Sequence, residues 1–546
     1  MSCNHLEQLE PVEVFHYFAE IADIPRPSGS EQAISDYLVR FARQHNLEHY
    51  QDRLHNVIII KEATSGYENV PPVILQGHMD MVCEKEPDCQ IDMEKEGLKL
   101  RIDGDYLSAE GTTLGGDDGI AIAYALAILA SSSLQHPRIE FVCTVSEETG
   151  MEGASGIDVS MLRGRRMINL DSEAEKEMMC GCAGGGRTIV TLPVCYETAA
   201  AEGQILMTVS VTGLTGGHSG TEINKGRANA VILLAETLHE LMEQYGAENI
   251  RLTGFGGGNK DNAIPREASA GIAVSGTGAE QIQEACTKAA AKFREKYGKT
   301  DPGLAVTVSA AVSGNAGAVD VPGNAGAADC KKEQIRVFKA HTAEKLLKMI
   351  LTLPNGVQAM SADIPDLVET SLNLGIAITE PAEHTNFENV DTDQADAGKA
   401  DAGSADADRA GSGNAVTDSV VRLHYSLRSS VAESYEKLAQ NVARTAESFG
   451  ACTSRQGEYP AWEYRKDSEL RALMMPVYEE VFGRKPEITV IHAGVECGLL
   501  ADKLPGLDAV SIGPDMLDIH TTEERLSVSS AARMYRYVVR VLEQMK

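Results

Sequence analysis

The chain has 546 residues, 43% of them hydrophobic and 24% charged, with a formal net charge of −31. That length suffices for about two to four domains and a large buried core, while the acidic balance argues against nucleic acid and anionic membrane surfaces as partners. No stretch approaches the ~20 apolar residues of a membrane span, and the polar, acidic Met1–Val12 does not read as a signal peptide.

An amphipathic helix is expected over about 10–22, followed by Ile24-Pro-Arg-Pro-Ser-Gly-Ser30 and a second helix over about 31–45. Strands follow at 56–61 and 73–76. The segment Gly119–Leu129 is almost wholly Ile, Ala and Leu, so it should form a helix buried on every face. Further strands are expected at 139–145 and 166–170, and this alternation implies a mostly parallel sheet covered on both sides. After Gly184-Gly-Gly186 the texture changes to α+β: strands at 205–211, 250–255 and 268–274, with a long helix over about 227–245. From about Glu458 the first texture returns. The expected organisation is therefore a discontinuous α/β catalytic domain, 1–186 and 458–546, with an inserted α+β domain at 187–457. Within that insert, Thr379–Ser419 is dominated by Ala, Asp, Gly and Ser and should be a disordered acidic loop. Its alternating acids lack the register of an EF-hand. Ser313–Ala328 reads as a second loop. Eleven cysteines without disulfide-like spacing fit a reducing cytosol, and Cys180-Gly-Cys182 reads as two structural thiols.

Five short motifs are expected where strands end: Gly77-His-Met-Asp80, Gly115-Gly-Asp-Asp-Gly119, Ser146-Glu-Glu148, Leu170-Asp-Ser-Glu173 and, far downstream, His520. Ligands bind at the carboxyl ends of parallel strands. Any one of these carboxylates alone reads as a helix cap or a solvated loop residue; their order along one alternating unit points to a metal site for hydrolysis. His78 and Asp80, two apart, share a side, so Asp80 can hold the imidazole's other N–H. Glu147 and Glu148 would point oppositely from an extended chain, one towards metal and the other towards water. Charge counting favours two divalent ions: the carboxylates of Asp117, Glu148 and Asp171 with a bridging hydroxide neutralise them. Such a pair polarises a carbonyl and acidifies the shared water, and unligated Glu147 is the expected general base. Zinc, manganese and cobalt all accept such donors. Gly256-Gly-Gly258 lacks the Lys-Ser/Thr of a phosphate loop.

Leu75-Gln-Gly-His-Met-Asp-Met81, Gly111-Thr-Thr-Leu-Gly-Gly-Asp-Asp-Gly119, Glu147-Glu-Thr-Gly-Met-Glu-Gly153, Asn169-Leu-Asp-Ser-Glu173, Gly213-Leu-Thr-Gly-Gly-His-Ser-Gly220, Asn262-Ala-Ile-Pro-Arg-Glu267 and Ile491-His-Ala-Gly-Val-Glu-Cys-Gly498 together resemble the aminoacyl-histidine dipeptidases. That family lies within the clan of co-catalytic zinc peptidases and aminoacylases. The resemblance implies one metal on His78 and Asp171, another on Glu148 and His520, Asp117 bridging them, and a cis Asp117–Asp118 peptide. It further implies that Asp80 orients His78 and that Glu147 is the base. The inserted domain would be a lid and a dimerisation surface, with His218 as the oxyanion contact, Asn262 positioning substrate, Arg428 clamping the dipeptide's carboxylate, and Gly494 bordering its C-terminal side. The activity implied is metal-dependent cleavage of unblocked dipeptides, Xaa-His (carnosine-type) preferred, in the cytoplasm. Related alternatives are an N-acyl-amino-acid deacylase and a tri- or carboxypeptidase; a binding protein without turnover is a third class, disfavoured by the intact Glu147. Two departures stand out: Thr521-Thr522 follows His520 where the family commonly has Ser-Pro, and the acidic insertion has no counterpart.

Overall fold

A computed structural model describes residues 6, 8–275, 278–310, 334–382 and 419–546. It divides into two compact units, Met1–Gly184 with Tyr459–Lys546, and Gly185–Glu458. Each is built around its own hydrophobic core.

The discontinuous unit is organised by an eight-stranded sheet. Its centre is parallel: Val73–His78 lies between Ile139–Thr144 and Arg166–Asn169, and Asp508–Ser511 continues the parallel run beyond Arg166–Asn169. Val73–His78 and Ile139–Thr144 are buried at every position, as a parallel strand covered on both faces must be. Towards the edges the sheet turns antiparallel, with Glu48–Gln51 on Val57–Lys61 and Val57–Lys61 on Ile139–Thr144. The sheet is therefore mixed at its margins, because a short hairpin needs no crossover helix there. The helix Gly116–Ala130 is buried from Gly116 through Leu129. The amphipathic Val528–Gln544 helix instead buries one stripe, including Met534, Val538 and Val541.

A second, four-stranded sheet pairs Leu100–Asp103 with Tyr106–Ala109, then with Arg525–Ser527 and Met516–Leu517. Arg525 to Ser527 register against Ser108 to Tyr106. The segment carrying His520 is thereby zipped onto the hairpin that leads into Asp117.

The inserted unit has a nine-stranded sheet, antiparallel from Ala305–Ala310 through to Ser419–Ser429, with the helices Ala230–Tyr245, Ala279–Tyr297, Ala340–Thr352 and Ala432–Ser448. Its strands Val368–Pro381 and Ser419–Ser429 pair as far as Pro381 with Ser419. Thr379–Pro381 and Ser419 thus belong to the sheet, whereas 383–418, like the Ser313–Ala328 stretch, lie outside the described residues. Among the described residues no helix is long and apolar enough to cross a membrane.

Candidate metal centre

Three of the five motifs sit just beyond parallel strands of the main sheet. His78 closes Val73–His78, Glu147 follows Ile139–Thr144, and Asp171 follows Arg166–Asn169. The other two do not. Asp117 lies in the first turn of the Gly116–Ala130 helix, and His520 lies in the loop after Met516–Leu517. Both reach the site through the small sheet, whose pairing joins segments about 400 residues apart, so no hydrophobic run immediately before them could mark their place.

The donors converge. His78, 1% exposed, holds Nε2 at 3.1 Å from Asp117 Oδ1 and 3.5 Å from Asp171 Oδ1. His520 holds Nε2 at 3.2 Å from Asp117 Oδ2 and 3.0 Å from Glu148 Oε1. Asp117 therefore offers one carboxylate oxygen to each histidine. Donor atoms within 4.8 Å of one another form the sets His78–Asp118–Asp171, His78–Glu147–Glu148 and Asp117–Glu148–His520. Asp118 was not foreseen as a candidate donor. It is fully buried and accepts the His78 backbone amide at 3.2 Å, and a Cβ at Gly77 would meet its Oδ2 at 2.4 Å, which is why glycine stands before the histidine. The Asp117–Asp118 peptide is cis.

Glu147 and Glu148 do not diverge as an extended pair would. They open a single helical turn, Glu147–Gly150, entered through Ser146 in the left-handed region at φ 52°. Asp80 builds that turn. Its Oδ1 accepts the Glu147 amide at 3.1 Å and its Oδ2 the Glu148 amide at 3.2 Å, satisfying donors that a helix start leaves free. Oδ1 also lies 3.3 Å from His78 Nδ1, and Oδ2 accepts from Ser28 at 2.8 Å. One carboxylate thus aligns His78 and both glutamates.

Further charged residues brace the site. Arg26, 2% exposed, donates to the carbonyls of Met79, Asp80 and Gly115. Glu524 accepts the amides of Leu114, Gly115 and Gly116 at 2.8, 3.1 and 2.8 Å, tying the His520 loop to the turn before Asp117. Gly115 is at φ 62°, and a Cβ there would strike Arg26. Glu31 accepts the Ser146 amide and hydroxyl at 3.0 Å each. At the turn after His520, the Thr521 hydroxyl donates to the Asp518 carbonyl at 2.6 Å. Asp518 and His520 both occupy the left-handed region, at φ 55° and 61°, the kind of local strain that collects at functional sites.

The electrostatics test whether cations fit. Burial pushes the Glu147 carboxyl up to about 8 and that of Asp171 up to about 7, with neighbouring carboxylates adding to both shifts. Burial disfavours a charged His78, yet Asp171, Asp117 and Asp80 outweigh it and raise its pKa. Contacts with Asp117 and Glu148 raise His520 to about 10. Burial opposes the ionised Asp80, but contacts with His78 and Ser28 hold it at about 2. So many buried carboxylates around two imidazoles cannot all ionise unless positive charge enters. The donor set, carboxylate oxygens with imidazole nitrogens, suits two divalent ions.

In the inserted unit His218 and Asn262 are neighbours. His218 pairs with Ala263 in a two-residue ladder, and the Ser219 amide donates to the Asn262 carbonyl at 2.8 Å. His218 Nδ1 accepts the Gly220 and Thr221 amides at 3.3 and 3.2 Å, which leaves the proton on Nε2 as a donor. Burial and then Arg428 lower the His218 pKa, keeping the ring neutral. Arg428 stands opposite Ser371 in the Val368–Pro381/Ser419–Ser429 pair. Gly494 belongs to the discontinuous unit, where a Cβ would meet the Tyr459 ring at 2.4 Å.

A discontinuous α/β unit carrying an inserted unit, with two histidines and several carboxylates gathered at its strand ends, a helix start and a late loop, is the architecture of a metal-dependent hydrolase with candidate sites for two ions. The chain belongs to the peptidase family M20/M25/M40, whose model matches residues 74–544. It is 31% identical over 541 residues to a cytosol non-specific dipeptidase of Escherichia coli, covering 99% of each chain. The solved aminoacylhistidine dipeptidase of Vibrio alginolyticus superposes with a TM-score of 0.82 at 32% identity, covering 100% of this chain and 99% of that one. An aminopeptidase PepT from Bacillus cereus shares the fold at a TM-score of 0.54 and 16% identity, over 98% and 99% of the two chains. The chain is therefore a metallopeptidase of this family.

Proposed function

We propose that this metallopeptidase cleaves the peptide bond of unblocked dipeptides, with Xaa-His substrates of the carnosine type preferred. The observation that carries this is Glu147, a half-buried carboxylate within reach of His78 and Glu148, in a chain that aligns end to end with two dipeptidases. His78 and Asp171 would hold one ion, Glu148 and His520 the other, with Asp117 shared; zinc suits the donors, and manganese or cobalt would also be accepted. Bound there, two divalent ions supply Lewis-acid polarisation of the scissile carbonyl and a more acidic water. Glu147 takes the attacking water's proton and delivers it to the leaving amine. Asp80 keeps His78 in one tautomer and holds the Glu147 turn. His218, with Nε2–H as donor, hydrogen-bonds the carbonyl oxygen as it gains charge. Asn262 positions the substrate, and Arg428 pairs with its C-terminal carboxylate through a planar fork. Gly494 borders the C-terminal side, where only a small residue clears Tyr459. The inserted unit acts as a lid that excludes water.

Histidine release from β-Ala-His and Leu-His, measured beside an N-acetyl amino acid with chelated and metal-restored enzyme, tests this. Cleavage of the free dipeptides alone, lost on chelation and regained with metal, is the expected outcome. Turnover of the acetylated compound instead would make the chain a deacylase, and no turnover of either would leave a binding role.

We also propose a cytosolic homodimer joined through the lid. The nine described cysteines, all free, support the compartment. The exposed Val357 and Met360 on the strand Gly356–Met360 support a contact there. Sedimentation velocity giving twice the chain mass, reduced to one by Met360→Glu, is expected; a monomer at micromolar concentration would exclude the dimer.

A further inference from the structure

Beneath the metal donors lies a polar layer that the hydrolytic chemistry does not use. Gln76, two residues before His78, and Asn169, two before Asp171, face each other across their parallel strands, and Thr144 registers with His78. Residues two apart on a strand share a face, so this layer directly underlies the donors. Asn169 Nδ2 donates to Gln76 Oε1 at 2.6 Å, and Gln76 Nε2 donates to Glu496 Oε2 at 2.6 Å. Thr144 donates to the same Glu496 oxygen at 2.6 Å, and Asn169 Oδ1 accepts the Asp171 amide at 3.3 Å. Glu496 comes from the segment after the insertion, two residues past Gly494, in the first turn of the helix Glu496–Lys503.

Glu496 is 0% exposed, and its Oε1 has no hydrogen-bond partner among the described residues. A buried carboxyl group with one oxygen unmet costs stability that an apolar residue of similar volume would not. Fold stability alone therefore does not account for it. Gln76, Thr144 and Asn169 each sit in strands that end at different metal donors, and Glu496 is the acceptor that gathers Gln76 and Thr144 at one point.

We propose that Glu496 is a positioning residue for the metal centre: through Gln76, Asn169 and Thr144 it sets the strand ends that present His78, Asp171 and the Glu147–Glu148 turn. It acts through these partners, touching neither substrate nor ion, and it couples the Gly494 loop to the donors. The role rests on the di-metal reading above.

The test is calorimetric titration of zinc into metal-free protein, together with steady-state kinetics, for wild type, E496A, E496Q and T144V. Residues that orient metal ligands are worth about 10–100-fold in affinity or activity. E496A is expected to weaken at least one zinc site and lower kcat by about that factor, with KM changed by no more than about threefold. E496Q should recover both to within about threefold of wild type, because its amide oxygen can still accept from Gln76 and Thr144. Wild-type zinc affinity and kcat in E496A would overturn the proposal, as would an E496Q as impaired as E496A. Should E496A fail to fold, T144V decides: it removes one donor while keeping the volume, and it should weaken zinc by about threefold or more. Unchanged binding in T144V would then refute the role. Wild-type protein that takes up no zinc would sink the di-metal reading and this role with it, whereas normal wild-type uptake with an unaltered E496A removes the positioning role alone.

Discussion

Asp117→Ala should leave a folded protein that holds at most one metal ion and has lost turnover. Asp117 offers Oδ1 to His78 and Oδ2 to His520, so it is the residue that contacts both histidines of the proposed pair of ion sites. In the assignment proposed above, each ion would lose a ligand without it and the pair would lose its shared carboxylate. Two-ion activation is worth several kcal/mol of barrier, and each ~1.4 kcal/mol is tenfold in rate. The expected fall in kcat is therefore about 10³-fold or more. Stability of the metal-free protein should fall as well. Burial opposes the ionised Asp117, but contacts with His520 and His78 hold its carboxyl well below the usual range, so the substitution removes a favourable partner from both imidazoles. Metal content by plasma mass spectrometry and melting temperature of the chelated protein check both halves. Two ions retained at a near-normal rate would remove Asp117 from the bridge.

Glu147→Ala has a different expected signature: intact metal content, nearly unchanged KM, and a kcat lower by about 10²–10⁴-fold, the usual worth of a general base. The separation follows from the geometry. The Glu147 amide, held by Asp80, survives the substitution, so the turn that presents Glu148 stays in place. Burial raises the Glu147 carboxyl to about 8 with the surrounding carboxylates adding to it, and bound cations would draw it back towards an ionised base. Retained turnover near the wild-type rate would sink the assignment. A variant that lost metal as well would make Glu147 a ligand.

Asp80 and Glu496 show how different kinds of site residue differ in legibility. Asp80 was readable as the partner of His78 because a two-residue spacing on a strand is local information. Its second task, capping the Glu147–Gly150 turn, was not, since that turn is 67 residues away in sequence. The extended Glu147–Glu148 pair expected from local spacing gave way to a helical turn because Ser146 enters the left-handed region and Asp80 satisfies the exposed amides. Arg26 left a faint mark, a charged residue between two prolines linking two amphipathic helices. Glu524 left none, and Glu496 showed only as one letter of the Ile491–Gly498 motif with no role attached, because their partners lie about 400 residues away.

What the sequence by itself determined is the part governed by short-range periodicity. Apolar runs of strand length and an all-apolar helix specify a covered α/β sheet, and the motifs following those strands put His78, Glu147, Glu148 and Asp171 at its carboxyl edge. The tertiary structure decided how Asp117 and His520 meet, because only the pairing of 525–527 on 106–108 brings the late histidine to the early aspartate. It also decided which buried charges support the site. Burial and pairing are properties of the packed chain: a carboxylate acquires its partners, and hence its role, only when segments remote in sequence close around it.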